Sequence, residues 1–524
     1  MDPRLTRRSD REIMAPGERE TGGESEIERA TEGAFRDDLE RIRFSPYFSR
    51  LAAVTQVISQ GAAGQVVHNR LTHTVKVTAV ARAIASMLRG GPHRQLLDDL
   101  GGCDPVVVQA GASAHDLGHP PFGHLGEQIL DRIARSRFGL VDGFEGNAQT
   151  FRILTTLDVH GERGNGLDLT AAVRAAVLKY PWSRIGYPTP HPRDAEVRPK
   201  GAGPAIEGPG AQKFSAYVLD VPELHQVRWA YPRVGPWQQT VECSVMDVAD
   251  DIAYSLHDLD DFHRAGVLQH ASVAAEFRAW GRRRADLAGT PLQELRHAER
   301  RPGHSLELLR RRLHAKDSWM VDDEVFATAV GRVGAELVDG LLAVPFDGSI
   351  SAERAIGSFT ASWIAHLQES VEVSATPPVR AGHVLLNRQA WHEVAVLKFV
   401  HQRFVLDRPD LALFQRGQAR LLTSLVRDLE SWLEDPLDAS RAPQRLLDLV
   451  QLATDGYREL ARTAPELIIG PTGEPATSAD DLARMGRGRG IIDYVASMTD
   501  DRALATAVTL GGHAGQLWAG GSGL

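Results

Sequence analysis

The sequence predicts a mostly α-helical fold, and three observations carry that expectation. Several segments repeat apolar residues at helical spacing, few alternate with period two, and runs of β-branched residues are short. With 524 residues and a hydrophobic fraction of 43%, the chain can bury a substantial core. Residues 1–33 mix Arg, Glu, Gly and Ser without periodicity and read as a disordered arm. Residues 34–510 read as one helical domain with long loop excursions, because nothing in them marks a clean linker.

Within that domain His73, Val77, Val80, Ile84 and Met87 share one helical face, and the helix stops at Arg89-Gly90-Gly91-Pro92. A second helix around Pro105–Leu117 runs into Gly118-His119-Pro120-Pro121, where paired prolines impose extended backbone. A third spans Val245–Phe262, with Val245, Val248, Ile252, Leu256 and Leu259 on one face. Residues 183–212 are rich in Pro and Gly and read as a loop insertion; 282–304 is Arg-rich and weakly patterned; 511–524 is a Gly-rich, flexible tail.

Composition excludes several classes. A formal net charge of −9 argues against a general nucleic-acid coat or a binder of anionic membranes, but not against an anionic small molecule held by a few cations. No run approaches the roughly twenty apolar residues of a membrane span, and the first thirty residues lack the apolar stretch of a secretory signal. Cys103 and Cys243 form neither a metal motif nor a disulfide framework, which fits a reducing cytoplasm. Of 59 basic residues only six are lysines, at 76, 179, 200, 213, 316 and 398, so each lysine invites a reason.

The chemistry centres on His115-Asp116. An imidazole and a carboxylate at a helix end suit a divalent cation, provided that further ligands come from elsewhere. The thirteen residues His115–Glu127 hold three histidines, two carboxylates, three glycines and two prolines, which is poor core material. His124 and Glu127 stand one helical turn apart, so the carboxylate can orient the imidazole; the plainer reading is a solvated helix start. His73 occupies the apolar register of its helix, where a histidine is more often part of the core than a ligand. Asp250, Tyr254 and Asp258 line up at intervals of four, opposite the apolar face. Periodicity leaves open whether that line is solvated or borders a cleft.

In this order the pieces resemble the HD-domain metal phosphohydrolases, and among them the deoxyguanosine triphosphate triphosphohydrolase (dGTPase) family. The matching runs are Asn69–Thr74, His115–Glu127, Phe144–Gln149, Leu178–Trp182, Asp250–Ser255, His257–Leu259, Ile492–Tyr494 and Met498–Asp500. The resemblance implies an HD-domain helical fold and one divalent metal (Mn, Fe, Co, Ni or Mg) held by His73, His115, Asp116 and Asp250. It implies a catalytic pair, His124 and Glu127. It places Tyr254 under the deoxyribose, Asp258 and Gln56 at the sugar 3′-hydroxyl with Val57 beside them, and Arg70, His119, Lys179, Tyr180 and Lys213 on the phosphates.

The resemblance further implies hydrolysis of a deoxynucleoside triphosphate (dNTP) to deoxynucleoside and tripolyphosphate, a homo-oligomer, and allosteric dNTP sites. Two departures stand out. Ala52-Ala53-Val54 replaces the basic residues expected before Thr55-Gln56-Val57, and the stretch from Trp182 to Lys213 is longer and richer in Pro and Gly than the pattern. The rivals are another HD-type nucleotide phosphohydrolase, acting on monophosphates or signalling nucleotides, and a catalytically weak nucleotide-binding regulator.

Overall fold

The computed structural model describes residues 2–10, 24–56, 68–160, 166–185, 199–201, 212–470 and 473–513, with the side chains of 24–32 left aside. The fold is all-α, with only two short strands among the described residues. Among the described residues fourteen helices reach ten residues: α1 (Glu24–Phe44), α2 (Arg70–Arg89), α3 (Pro105–Ala114), α4 (Gly123–Phe138), α5 (Val241–Arg264), α6 (His270–Gly289), α7 (His304–Asp317), α8 (Asp323–Val333), α9 (Ile350–Glu369), α10 (Arg388–His401), α11 (Pro409–Glu434), α12 (Gln444–Thr463), α13 (Ala479–Ala496) and α14 (Asp500–Leu510). The strands β1 (Val371–Val373) and β2 (Val384–Leu386) pair antiparallel, with Val371 opposite Leu386.

The helices pack into two hydrophobic clusters, and α3 belongs to both. Its Val107, Ala110 and Ala114 join Phe35, Phe151 and Leu425 in the first cluster, while Val108 and Ala112 join Val77, Ile84, Ile252 and Leu256 in the second. A helix buried on two sides needs small residues for close approach. At Gly111 a Cβ would lie 2.9 Å from that of Ala176 on the neighbouring short helix Ala171–Ala176. The end of α3, which carries His115 and Asp116, is therefore fixed at the seam between the two cores.

Local signals set the helices that feed this seam. Asn69 caps α2 by accepting from Thr72 N at 2.9 Å, and the helix stops at Gly90 as its Gly-Gly-Pro run dictates. Thr240 caps α5 by accepting from Cys243 N, and the expected Val245–Phe262 segment lies inside this 24-residue helix. Met87, expected on the apolar face of α2, is instead exposed, because the buried stripe runs on through Ala81, Ile84, Ala85 and Leu88.

Three other expectations change. The arm of residues 1–33 is docked where it is described at its start: Pro3–Leu5 forms a 3-10 turn, Arg4 donates to Glu242 at 2.6 Å, and Arg7 donates to Asp38 at 2.6 Å. Its last part is already helical, since α1 begins at Glu24, so the helical body starts before residue 34; residues 11–23 lie outside the described residues. The weakly patterned stretch 282–304 falls on α6, a short helix Leu292–His297 and the start of α7. Of the expected loop insertion 183–212 only 183–185, 199–201 and 212 are described, and of the expected tail 511–524 only 511–513.

Candidate active site

Several segments converge on a cavity of about 210 Å³. It is lined by Gln56, Arg70, His73, His115, Asp116, His119, His124, Glu127, Lys179, Tyr180, Lys213, Asp250 and Tyr254, all singled out in the sequence. Asp258 stands one turn beyond Tyr254 on α5 and is buried behind the cavity wall. Val57 lies outside the described residues.

His115 is held by both sides of the α3 terminus. Its Nδ1 bonds the Ala112 carbonyl at 2.7 Å, which makes Nδ1 the protonated nitrogen and leaves the Nε2 lone pair available. That Nε2 is buried without a hydrogen-bond partner and faces Asp116 Oδ1 at 3.5 Å and Asp250 Oδ1 at 3.6 Å. His73 Nε2 meets the same Asp250 oxygen at 3.2 Å, so the register that looked like core points its ring at a carboxylate. Ligand atoms of His73, His115 and Asp250 all lie within 4.8 Å of one another. Asp116 adjoins that group but is engaged elsewhere: Arg70 Nη1 donates to its Oδ2 at 2.9 Å, and His119 Nδ1 approaches its Oδ1 at 3.0 Å.

Two carboxylates facing imidazole nitrogens in a buried site call for positive charge, which Arg70 supplies to Asp116 and Lys179 to Asp250 at 2.9 Å each. Burial works against charge on His115, yet Asp116 and Asp250 raise it to about 9, so a proton occupies the place of positive charge. Asp250 is held well below the usual carboxylate range: burial opposes this, and Lys179 with the two histidines overcomes it. An imidazole nitrogen without a hydrogen-bond partner among the described residues, from which a cation would displace the proton, a second imidazole and two ionised carboxylates fit a divalent ion of mixed N/O preference.

A second group, His119, His124 and Glu127, also gathers within 4.8 Å. Here positive charge is already supplied. Lys213 Nζ donates to Glu127 Oε1 at 2.8 Å and to Glu145 Oε1 at 2.8 Å, and burial together with Arg70 lowers His119 to about 4. Glu127 is buried, accepts from Gly146 N at 3.2 Å, and faces His124 Nδ1 across 3.1 Å. Burial resists its ionisation, but Lys213 and His124 hold it well below the usual range. The His124 ring itself reaches out, with its side chain 62% exposed, so this pair is built as a fixed carboxylate orienting an accessible imidazole.

The backbone of His115–Glu127 is shaped rather than flexible. A Cβ at Gly118 would come within 2.1 Å of the Gly146 carbonyl oxygen, which only glycine allows. Phe122 sits at φ 64, a strained value for a large residue, and Asp500 holds it by accepting its N–H at 2.9 Å. The same carboxylate accepts from Thr55 N at 3.1 Å, bracing the segment that carries Gln56. Arg50 donates to the carbonyls of Leu117 and His119 at 2.7 Å each and to that of Met498 at 2.9 Å. Asp493 stays in the interior and pairs with Arg152 at 2.9 Å. The late motifs thus brace the site without lining it.

The family model for the HD domain matches residues 70–158, the stretch from Arg70 through the His115–Glu127 run. Across the whole chain, a deoxyguanosinetriphosphate triphosphohydrolase-like protein of Streptomyces coelicolor is 30% identical over 494 residues, covering 92% of this chain and 93% of its own length. The chain belongs to the deoxyguanosinetriphosphate triphosphohydrolase-like family. Proteins with the same description from Bifidobacterium longum (29% identical, covering 90% of this chain and 82% of that protein) and Corynebacterium efficiens (27%, covering 92% of each) match it at similar length. It is an HD-type phosphohydrolase, and HD domains bind divalent metals.

Beside the predicted residues stand others that motif reading missed. Lys398 lines the cavity and donates to Asp251 at 2.6 Å; Lys200 donates to Asp247 at 3.0 Å; Lys179 meets Asp247 at 2.8 Å and Asp250 at 2.9 Å. Four of the six lysines therefore gather at or beside one cavity, a signal present in their scarcity. Glu145, within the Phe144–Gln149 run, is buried and accepts from Lys213, a role that its motif does not announce. No helix among the described residues is long and apolar enough to cross a membrane.

Proposed function

We propose that this chain hydrolyses deoxynucleoside triphosphates to the deoxynucleoside and tripolyphosphate. The observation that carries the reading is the composition of one cavity: a His/Asp cluster that fits a divalent ion, an oriented imidazole, and three cations paired with the cavity's carboxylates. His73, His115, Asp116 and Asp250 would hold one divalent ion, with a transition metal favoured by the mixed ligands. Such an ion supplies Lewis-acid polarisation of the α-phosphoryl group and a bound water of lowered pKa.

The chain's own groups do the rest. Arg70, Lys179 and Lys213, paired in this structure with Asp116, Asp250 and Glu127, exchange those partners for phosphate oxygens and fix the α-phosphorus for in-line attack. His119 and Tyr180 complete that wall. His124, oriented by Glu127, gives a proton to the departing 5′-oxygen as the bond from that oxygen to the α-phosphorus breaks and the oxygen of water bonds to phosphorus. Tyr254 lies under the sugar, where a 2′-hydroxyl would clash, and Gln56 with Asp258 takes the 3′-hydroxyl; Val57 belongs beside them. This reading extends to a homo-oligomer in the cytoplasm with regulatory dNTP sites, supported by the family alone.

A turnover panel tests it. Purified protein, stripped of metal and reloaded with Mn²⁺, should release deoxynucleosides from dNTPs and leave deoxynucleoside monophosphates untouched. Hydrolysis of monophosphates with dNTPs intact would move the chain to another HD phosphohydrolase class. Binding of dNTPs without turnover under any of Mn²⁺, Fe²⁺, Co²⁺, Ni²⁺ or Mg²⁺ would make it a regulator.

A further inference from the structure

Beside Tyr254, and not among the residues that line the cavity, stands a histidine that no motif includes. His401 is the last residue of α10, 147 positions from Tyr254, and only 1% of it is exposed. Its Nδ1 lies 3.1 Å from the Tyr254 hydroxyl and 3.4 Å from Asp258 Oδ2. Its ring sits between two others. One face stacks on Phe262 with centroids 5.6 Å apart and planes 21° apart, and Tyr254 meets it edge-on at 5.4 Å. Tyr254, Asp258 and Phe262 are spaced by four along α5, so one imidazole packs against three successive turns of the helix that carries Asp250.

A phenylalanine would fill this space without burying polar nitrogen. Nε2 of His401 has no hydrogen-bond partner among the described residues, and neither has Asp258 Oδ2. Retaining an imidazole in such a place costs stability, which asks for a compensating role. The available role is the bond to Tyr254. Burial lowers His401 to about 4, so the ring is neutral and can accept the tyrosine proton. Burial and Asp261 push Asp258 well above the usual carboxylate range, so it does not compete as an anion for that nitrogen. A tyrosine tied at its hydroxyl and wedged at its ring cannot swing aside for a bulkier sugar.

We infer that His401 is a positioning residue for sugar discrimination: its Nδ1 anchors the Tyr254 hydroxyl and keeps Asp258 free for the sugar, so that a ribose is refused. This inference rests on the dNTP reading above. A side chain that merely filled the core would be replaceable by any ring of similar size.

Steady-state kinetics with dGTP and GTP on the wild type, His401→Phe, His401→Gln, Tyr254→Phe and the double variant Tyr254→Phe/His401→Phe separate the two ideas. Wild-type turnover of dGTP tests the dNTP reading; the variant ratios test His401. We expect His401→Phe to reduce the dGTP-over-GTP preference in kcat/KM about tenfold, mainly through a lower KM for GTP, the size of one lost hydrogen bond in a desolvated site. Bound metal should be unchanged. His401→Gln, which restores an acceptor, should recover most of the preference. The double variant should be no worse than Tyr254→Phe. An unchanged preference in His401→Phe, or a further loss in the double variant, would overturn the inference. Should His401→Phe fail to fold, the His401→Gln and Tyr254→Phe arms decide alone: no change of preference in Tyr254→Phe, or a loss of bound metal in His401→Gln relative to the wild type, overturns it equally.

Discussion

Asp250 and Asp258 are the same residue type on the same line of the same helix, two turns apart, yet the protein holds them in opposite states. Burial disfavours charge on both. At Asp250 the ammonium of Lys179 and the imidazoles of His73 and His115 overcome burial, and the carboxylate stays ionised far below its usual range. At Asp258 a like charge on Asp261 adds to burial, and Arg70 offsets too little, so the carboxyl rises well above its usual range. The lesson is that α5 grades from an anionic end suited to a cation and phosphates to a neutral end suited to a hydroxyl. What differs is the partner each turn meets, since the helix itself is continuous.

The same substitution at both positions is the sharpest way to break this comparison. Asp250→Asn keeps the shape but removes the charge, and should lower kcat/KM more than about a thousandfold, with metal content by elemental analysis falling in step. Retention of metal and near-normal rates would mean that the ligand set is wrong. Lys179→Ala removes the ammonium that keeps Asp250 ionised and that meets the phosphates, and should cost about a hundredfold in kcat/KM. Asp258→Asn replaces a carboxyl that is already neutral, so a loss of about tenfold or less, with metal retained, is expected. A loss as large as that of Asp250→Asn would show that Asp258 acts as an anion.

The smallest effect on catalysis belongs to a third carboxylate on α5. Glu242 is buried on its first turn, paired with Arg4, and burial holds it at about 7 despite that partner. Arg4→Ala should leave kcat unchanged but lower the unfolding free energy by about 3 kcal/mol, read from urea midpoints at pH 8, because a buried charge loses its partner. A folded pKa above the unfolded one means that the folded state binds the proton more tightly. Without Arg4 the Glu242 pKa rises further, so the variant takes up its proton first: the Arg4→Ala deficit should shrink as pH falls towards about 7 and stay level below it, and a deficit that grows as pH falls would contradict this.

Much of this arrangement was legible in the chain, and the limits were physical. Helical spacing placed α2 and α5 and aligned Asp250 with Tyr254 and Asp258, because those relations are local. Whether that line met solvent or a cleft depended on Lys179, His115 and His401, which arrive from other segments, and periodicity carries no information about them. The same holds for Arg4: a charged, unpatterned start reads as disordered until Glu242 and Asp38 are brought to it by folding. His73 looked like core and is buried, but its ring faces Asp250. Lys398 and Lys200 could have been suspected from the scarcity of lysine alone, whereas nothing local singled out His401.

The central claim is that this cavity cleaves between the 5′-oxygen and the α-phosphorus of a dNTP. Its most direct test is anion chromatography of a dGTP digest by the metal-loaded enzyme, sampled at early times. The account predicts deoxyguanosine and tripolyphosphate in equal amounts from the first time point. Pyrophosphate with dGMP, or orthophosphate with dGDP, as the first products would contradict it.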